Sequence, residues 1–157
     1  MDSIITAGGI SSPEDPLFEV TGIEKKALIP LAGRPMIAWV VDAVWQSGLV
    51  DNIAIVGLSP EDVDFGEAPV HFTESVGDLV GNVLAGLDCL RQVNPSVKKI
   101  LLASSDVPLV TPEILRGFVE ECGSQEYDLY YAIEFVGPDS NRPQSLWGKR
   151  TRTFSQI

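Results

Sequence analysis

Cysteine and histidine are scarce in this 157-residue chain, which has two of the first and one of the second. Cys89 and Cys122 lie far apart and match no metal-ligand spacing. That argues against a zinc site and against a disulfide framework, and points to a reducing, cytoplasmic setting. His71 has no partner at metal or catalytic spacing, so no Ser/His/Asp or Cys/His machinery can be built on it, and it reads as a residue of a strand surface or edge. No apolar run approaches the roughly 18 residues that would suggest a membrane span. The N-terminus lacks the basic segment and apolar stretch of a secretory leader. Basic residues are also scarce: 11 Lys and Arg stand against 22 Asp and Glu, for a net charge of −11. A nucleic-acid backbone is therefore a poor partner, because a phosphate-tracking face needs an excess of Lys and Arg.

What is present suits one soluble domain over residues 1–157. Hydrophobic residues make up 45% and charged residues 21%, and a chain of this length buries a core without covalent staples. The few cations are unevenly placed. The first 24 residues contain none, and then come Lys25, Lys26 and Arg34. A second group, Arg142, Lys149, Arg150 and Arg152, lies near the end. Scarce, clustered cations suit an anionic small molecule.

Ser3-Ile4-Ile5-Thr6 reads as a short buried strand running into Ala7-Gly8-Gly9, a turn signal. Residues 10–25 read as a long loop, which inside a compact domain is usually functional or mobile. Gly33-Arg34-Pro35 opens the first helix, with Pro35 suited to its first position. Met36, Ile37, Val40, Val41, Val44 and Trp45 form its apolar face, and Gly48 ends it. Ile53-Ala54-Ile55-Val56 is a continuous apolar strand of the kind covered on both faces, and Val70-His71-Phe72 suggests another. Val80, Val83, Leu84, Leu87 and Leu90 make a second helical face. Ile100-Leu101-Leu102-Ala103 is a strand. Thr111 caps a third helix bearing Ile114, Leu115, Phe118, Val119 and Cys122. Leu129–Ile133 is a further strand, and nothing past Gly137 is assigned. Strands alternating with helices imply a parallel α/β sheet with right-handed crossovers, in which ligands bind at the carboxyl ends of strands.

Two loops leave such ends with chemistry to offer. Glycines after the first strand let backbone N–H groups approach a phosphate, although a tight turn without a ligand is the more common explanation of Ala7-Gly8-Gly9 taken alone. No Gly-x-x-x-x-Gly-Lys-Ser/Thr loop is present. Lys26 can neutralise a phosphoryl oxygen at the rim of the glycines, or stand in solvent, as Lys25 beside it is expected to do. Asp106 follows the strand 100–103 and is held by Val107-Pro108. A carboxylate there can ligate Mg²⁺, or cap the following turn.

Together, three motifs in order resemble the MobA-like nucleotidyltransferases, the molybdenum-cofactor guanylyltransferase-like group. The first is Ile4-Ile5-Thr6-Ala7-Gly8-Gly9, followed after the loop by the run Lys26–Met36. It is similar to the family's glycine-rich opening and its Pro-Lys-x-Leu and Gly-x-Pro segment. The second is Gly81-Asn82-Val83-Leu84-Ala85-Gly86, which looks like the stretch lying against base and ribose. The third is Ser105-Asp106-Val107-Pro108-Leu109, like the family's Asp-x-Pro-Leu metal loop. The match covers about residues 2–135 and implies a Rossmann-like three-layer α/β/α sandwich with a mostly parallel sheet, of the nucleotide-diphospho-sugar transferase type.

The resemblance implies transfer of a nucleotidyl group from an NTP to a small anionic acceptor, with release of pyrophosphate. It implies that Ala7, Gly8 and Gly9 hold the phosphates through backbone N–H groups, and that Lys26 stabilises the α-phosphate. Gly81 and Asn82 would contact the nucleoside, and Asp106 would hold Mg²⁺. Departures exist: Ser11, Ser12 and Pro13 stand where the family places an arginine, and Lys25 stands where it often has Pro. Lys149-Arg150-Thr151-Arg152-Thr153-Phe154 resembles the approach to a later segment with acceptor contacts and a second metal carboxylate. The chain stops at Ile157, so a C-terminally incomplete fold is expected, with an exposed sheet edge and a tendency to form homo-oligomers. A non-catalytic nucleotide-binding or assembly module is the alternative. A glycosyltransferase would be expected to carry Asp-x-Asp where Ser104-Ser105-Asp106 stands, and a receiver domain an acidic pair where Thr6-Ala7-Gly8 stands.

Overall fold

A computed structural model describes residues 1–123, 129–135 and 144–149. It divides into two compact units, residues 1–115 and 116–157. In the first unit, four parallel strands form a sheet in the order β5-β4-β1-β6, with β1 at Asp2–Thr6, β4 at Ile53–Val56, β5 at Val70–Thr73 and β6 at Ile100–Ser104. Helix α2 (Met36–Gln46) connects β1 to β4, and α3 (Leu79–Val93) connects β5 to β6. The first connection steps to one side of β1 and the second returns past it to the other side. Right-handed crossovers in opposite directions place α2 and α3 on opposite faces of the sheet.

Burial agrees. Ile4, Ala54 and Val56 pack with Leu90 of α3, flanked by Val83 and Leu87. Gly86 lets this helix lie close, because a Cβ there would come within 2.7 Å of the Ile4 side chain. The alternate residues Ile5, Ile53 and Ile55 are also fully buried, as are Ile37, Val40, Val41 and Val44 of α2. Each such side chain stabilises the fold by about 1.5–3 kcal/mol, so the continuous apolar strands are explained by a sheet covered twice. The stripe of α3 is narrower than its sequence implies: Val80 and Leu84 are exposed. His71 lies on the edge strand β5, as its isolation in the sequence suggests.

At the amino ends of the strands, the fully buried Asp2 accepts bonds from Asn52 (2.9 Å) and Asn94 (2.6 Å). It thereby ties β1 to the entry of β4 and the end of α3.

Three local features differ from the sequence reading. The loop 10–25 contains a short helix, α1 (Pro16–Thr21), with Asp15 as its N-cap, Pro16 behind it and Gly22 in the left-handed conformation at its end. The Asp-Pro pair and the later glycine were legible boundary signals. Second, Gly33-Arg34-Pro35 does not open α2. Ala32 and Gly33, both at positive φ, form the tight turn between β2 (Pro30–Leu31) and β3 (Arg34–Pro35), the geometry of a two-residue hairpin. The helix begins at Met36, with Pro35 as its cap. Third, helix α4 (Pro112–Cys122) starts behind Thr111 as expected, with the Thr111 hydroxyl accepting the Ile114 N–H at 3.3 Å, but Leu115 is buried while Ile114 is exposed.

In the second unit, β7 (Tyr130–Phe135) pairs antiparallel with β8 (Gln144–Lys149). The further strand expected at 129–133 is thus shifted by a residue or two, and β8 lies in the stretch that the sequence left unassigned. Arg142, Arg150 and Arg152 lie outside the described residues. No helix among the described residues is long and apolar enough to cross a membrane.

Candidate functional site

The strand order changes direction at β1, so the crevice of this sheet opens at the carboxyl end of β1, between β4 and β6. Thr6 is paired with Ser104 on one side and Val56 on the other. Gly8 and Asp106 each stand two residues beyond the Thr6–Ser104 pair, which brings the first and third motifs to the same end of adjacent strands.

The glycine turn is built by its neighbours. The Ala7 N–H donates to the Val56 carbonyl at 2.8 Å and prolongs the ladder. Of the three residues Ala7, Gly8 and Gly9, Ala7 thus has its N–H engaged in the sheet. The N–H groups of Gly8 and Gly9 have no protein acceptor among the described residues. Two close approaches demand glycine here. A Cβ on Gly8 would lie 2.5 Å from the Ser75 hydroxyl, and one on Gly57, at φ +104°, would lie 2.5 Å from the Gly8 Cα.

Asn82 belongs to the same cluster. Its carbonyl oxygen accepts from the Ser75 hydroxyl (3.1 Å) and the Val76 N–H (2.8 Å). Its amide nitrogen would lie 3.6 Å from a Cβ on Gly8. The first and second motifs thus meet through Ser75, which has no distinguishing mark in the sequence. Gly81 sits differently: its N–H is taken by the Asp78 carboxylate at 2.8 Å, as the N-cap of α3. Its missing side chain makes room for Val76.

Lys26 reaches the turn because the chain folds back on itself. Its N–H donates to the Gly9 carbonyl at 3.0 Å, and Ser11 donates to Glu24 at 2.7 Å. The Lys26 side chain runs beside Gly9, with its Cδ 3.8 Å from where a Cβ on Gly9 would be. Its ammonium pairs with Asp15 at 2.6 Å. Lys26, together with the Leu17 N–H, holds the Asp15 carboxyl below the usual aspartate range.

Lys25 is not simply solvated. It grips both oxygens of Asp62, at 2.7 and 2.6 Å, and Asp62 also accepts from the Ser59 N–H and hydroxyl. This clamp fastens the return of the glycine loop to the β4–β5 connection. Arg34 is also engaged, over the Trp39 ring at 4.8 Å and on Asp42 at 2.8 Å. Of the three clustered cations, Lys26 is the one beside the glycines.

Asp106 is exposed and has neither a hydrogen bond nor an ion pair among the described residues. It does not cap the turn after it, where Val110 donates to Val107 instead. No three His, Cys, Asp or Glu side chains gather into a metal cage among the described residues. A lone free carboxylate suits Mg²⁺, which keeps several waters and takes its remaining oxygens from phosphates.

The chain matches the family model of the MobA-like NTP transferase domain over residues 3–153. It is 32% identical over 106 residues to the bifunctional protein GlmU of Geobacter metallireducens, covering 63% of this chain and 21% of that protein. It is 33% identical over 97 residues to the 3-deoxy-manno-octulosonate cytidylyltransferase of Synechococcus elongatus, covering 60% and 38%. The chain thus spans well under half the length of these curated relatives. A hypothetical transferase from Thermus thermophilus superposes with a TM-score of 0.58 at 28% identity, over 85% of this chain and 50% of that one. Rv0371c of Mycobacterium tuberculosis, solved in complex with manganese, shares the fold at 18% identity, with a TM-score of 0.54 over 80% and 60%. A divalent metal is therefore present in one protein of this fold.

Proposed function

Since the chain belongs to the MobA-like NTP transferase domain family, we propose that its crevice binds a nucleoside triphosphate. We propose further that it moves the nucleotidyl group to a small anionic acceptor, releasing pyrophosphate. The observation that carries this is the convergence of Gly8, Asn82 and Lys26 around one turn at the carboxyl end of β1, with Asp106 unpartnered at the end of the adjacent β6. The match over residues 3–153 supports reading 1–157 as one domain.

The Gly8 and Gly9 N–H groups receive phosphate oxygens. The Asn82 amide, its carbonyl held by Ser75 and Val76, turns its N–H₂ toward an acceptor on the nucleotide. Gly81 shapes the same wall. Lys26 carries a positive charge to the α-phosphate, where negative charge grows during in-line attack. Asp106 would hold Mg²⁺, which when bound offsets charge on the phosphate oxygens. Positioning and charge neutralisation supply most of what such a transfer needs. The wide separation of Cys89 and Cys122 in a chain with no other cysteine supports a reducing, cytoplasmic setting. Exposed Val80, Leu84 and Leu102 support self-association of copies. No observation favours the binding-only module.

Thermal unfolding against CTP, GTP, ATP and UTP, with and without Mg²⁺, tests the proposal. A ligand at a hundred times its Kd stabilises by about 2.7 kcal/mol, so a Tm rise with one nucleotide is expected. No shift with any of the four would overturn it.

A further inference from the structure

Among the described residues, the segment from Ser12 to Ile23 is bound to the rest of the molecule at one polar point. Its hydrogen bonds are internal: Asp15 to Ser12, Leu17 to Asp15, Glu19 to Asp15, Thr21 to Leu17, Gly22 to Phe18, Ile23 to Thr21. Among the described residues, the Asp15–Lys26 pair at 2.6 Å is the sole hydrogen bond or ion pair that leaves it. Apolar anchorage is slight, for α1 buries none of its residues, and Leu17 and Val20 are exposed. At the root of the segment, the hydroxyl of the buried Ser11 has no hydrogen-bond partner among the described residues, a cost that rearrangement can relieve. Few buried contacts and a single, half-buried ion pair are the marks of an element that opens locally.

We propose that residues 12–23 form a strap latched by Asp15 on Lys26, and that the triphosphate of an incoming nucleotide unlatches it by taking Lys26 from Asp15. The idea rests on the nucleotide reading of the site. A phosphate oxygen and the Asp15 carboxylate compete for one ammonium. Before binding, Asp15 holds the Lys26 side chain alongside Gly9. After binding, the freed carboxylate faces a phosphate of like charge, and the strap moves away with it. Asp15 is then a positioning residue that acts through Lys26, and it weakens nucleotide binding by the strength of the latch.

Asp15→Asn isolates the charge, because asparagine caps a helix as well as aspartate does. Glu14→Gln removes an equal charge from a neighbouring residue with no described partner. Hydrogen exchange of residues 16–21 and equilibrium binding of Mg²⁺ with each of CTP, GTP, ATP and UTP are measured on the full chain. In the unsubstituted protein, the nucleotide that binds speeds exchange in 16–21. In D15N, exchange is already fast without nucleotide, and Kd and KM fall about two- to five-fold, the worth of an ion pair at the protein surface, with kcat unchanged. E14Q behaves like the parent. Unchanged exchange and Kd in D15N, the same gain in E14Q, or weaker binding in D15N each overturn the latch while leaving the nucleotide site standing. Binding of no nucleotide by either protein overturns the site reading, and the phosphate-driven release with it.

Discussion

Gly57 faces Gly8 so closely that a Cβ on the first would lie 2.5 Å from the Cα of the second, and Gly57 holds φ at +104°. Two strand ends, β4 and β1, thus rest backbone to backbone beneath the turn whose N–H groups are left free.

Gly57→Ala should therefore strain its own backbone and push the glycine turn out of place. Overpacking of this kind costs about 1–3 kcal/mol, enough to lower Tm by at least ~2 °C and to abolish the Mg²⁺-dependent nucleotide shift. A variant that keeps both its Tm and its nucleotide shift would show that the close approach is unimportant.

Lys26→Ala should lower kcat by on the order of 10²–10³, as loss of one preorganised charge at a developing anion does. Far-ultraviolet circular dichroism should be unchanged, since Lys26 is half-exposed and its backbone bond to Gly9 remains. An unaltered turnover number would remove Lys26 from the chemistry.

Asp106→Ala should erase the Mg²⁺-dependent part of nucleotide stabilisation and leave the melting of the free protein within about 0.5 kcal/mol of the parent, the usual range for a surface change. Asp106 has no described partner to lose. Retention of the full Mg²⁺ effect would move the metal elsewhere.

The clamp at Asp62 should make stability acid-sensitive. Lys25, then the Ser59 N–H and hydroxyl, hold its carboxyl below the usual aspartate range against the opposing effect of burial. A depressed folded-state pKa means that the unfolded chain binds more protons near pH 4. The contribution is therefore complete above the ordinary aspartate value of 3.8 and is lost as pH falls through the lower folded value. Urea midpoints of Asp62→Asn and of the parent should converge in strong acid and differ at pH 7. A gap that does not shrink on acidification would mean that the carboxylate charge is not what fastens the loop.

Asp2→Ala should destabilise strongly without touching the site. It strands the amides of Asn52 and Asn94 against a buried position at the opposite end of the strands, at about 1–3 kcal/mol for each unsatisfied group. Chemical denaturation reads the loss. Nucleotide Kd at a temperature where the variant is folded should match the parent, and a changed Kd would contradict this placement.

Much of the framework is local in origin and was legible in the chain itself. The apolar run at 53–56 predicts a strand because only a doubly covered sheet can bury every residue of such a run, and the run at 100–103 predicts the edge strand β6, where Leu101 is buried and Leu102 exposed. The stripe Ile37, Val40, Val41, Val44 has helical spacing, and Thr111 caps its helix by a bond across three residues. The three motifs announce the family through residues that lie close in sequence. The short helix at 16–21 was legible too, since Asp15, Pro16 and Gly22 carry its boundaries.

The site itself is made of contacts that no local pattern encodes. Ser75 lies 67 residues from Gly8 and 7 from Asn82, yet it joins them. Lys25 and Lys26 are neighbours with the same charge, and only their partners, Asp62 and Asp15, distinguish a clamp from a latch. Ala7 and Gly8 are adjacent, and pairing with Val56 decides which N–H is spent. Hydrophobic period and capping act over a few residues, so the sequence alone determined the strands of the parallel sheet, most of the helices and the family. Which charges meet and which donors stay free depends on groups brought together by the crossovers, and only the tertiary structure decided that.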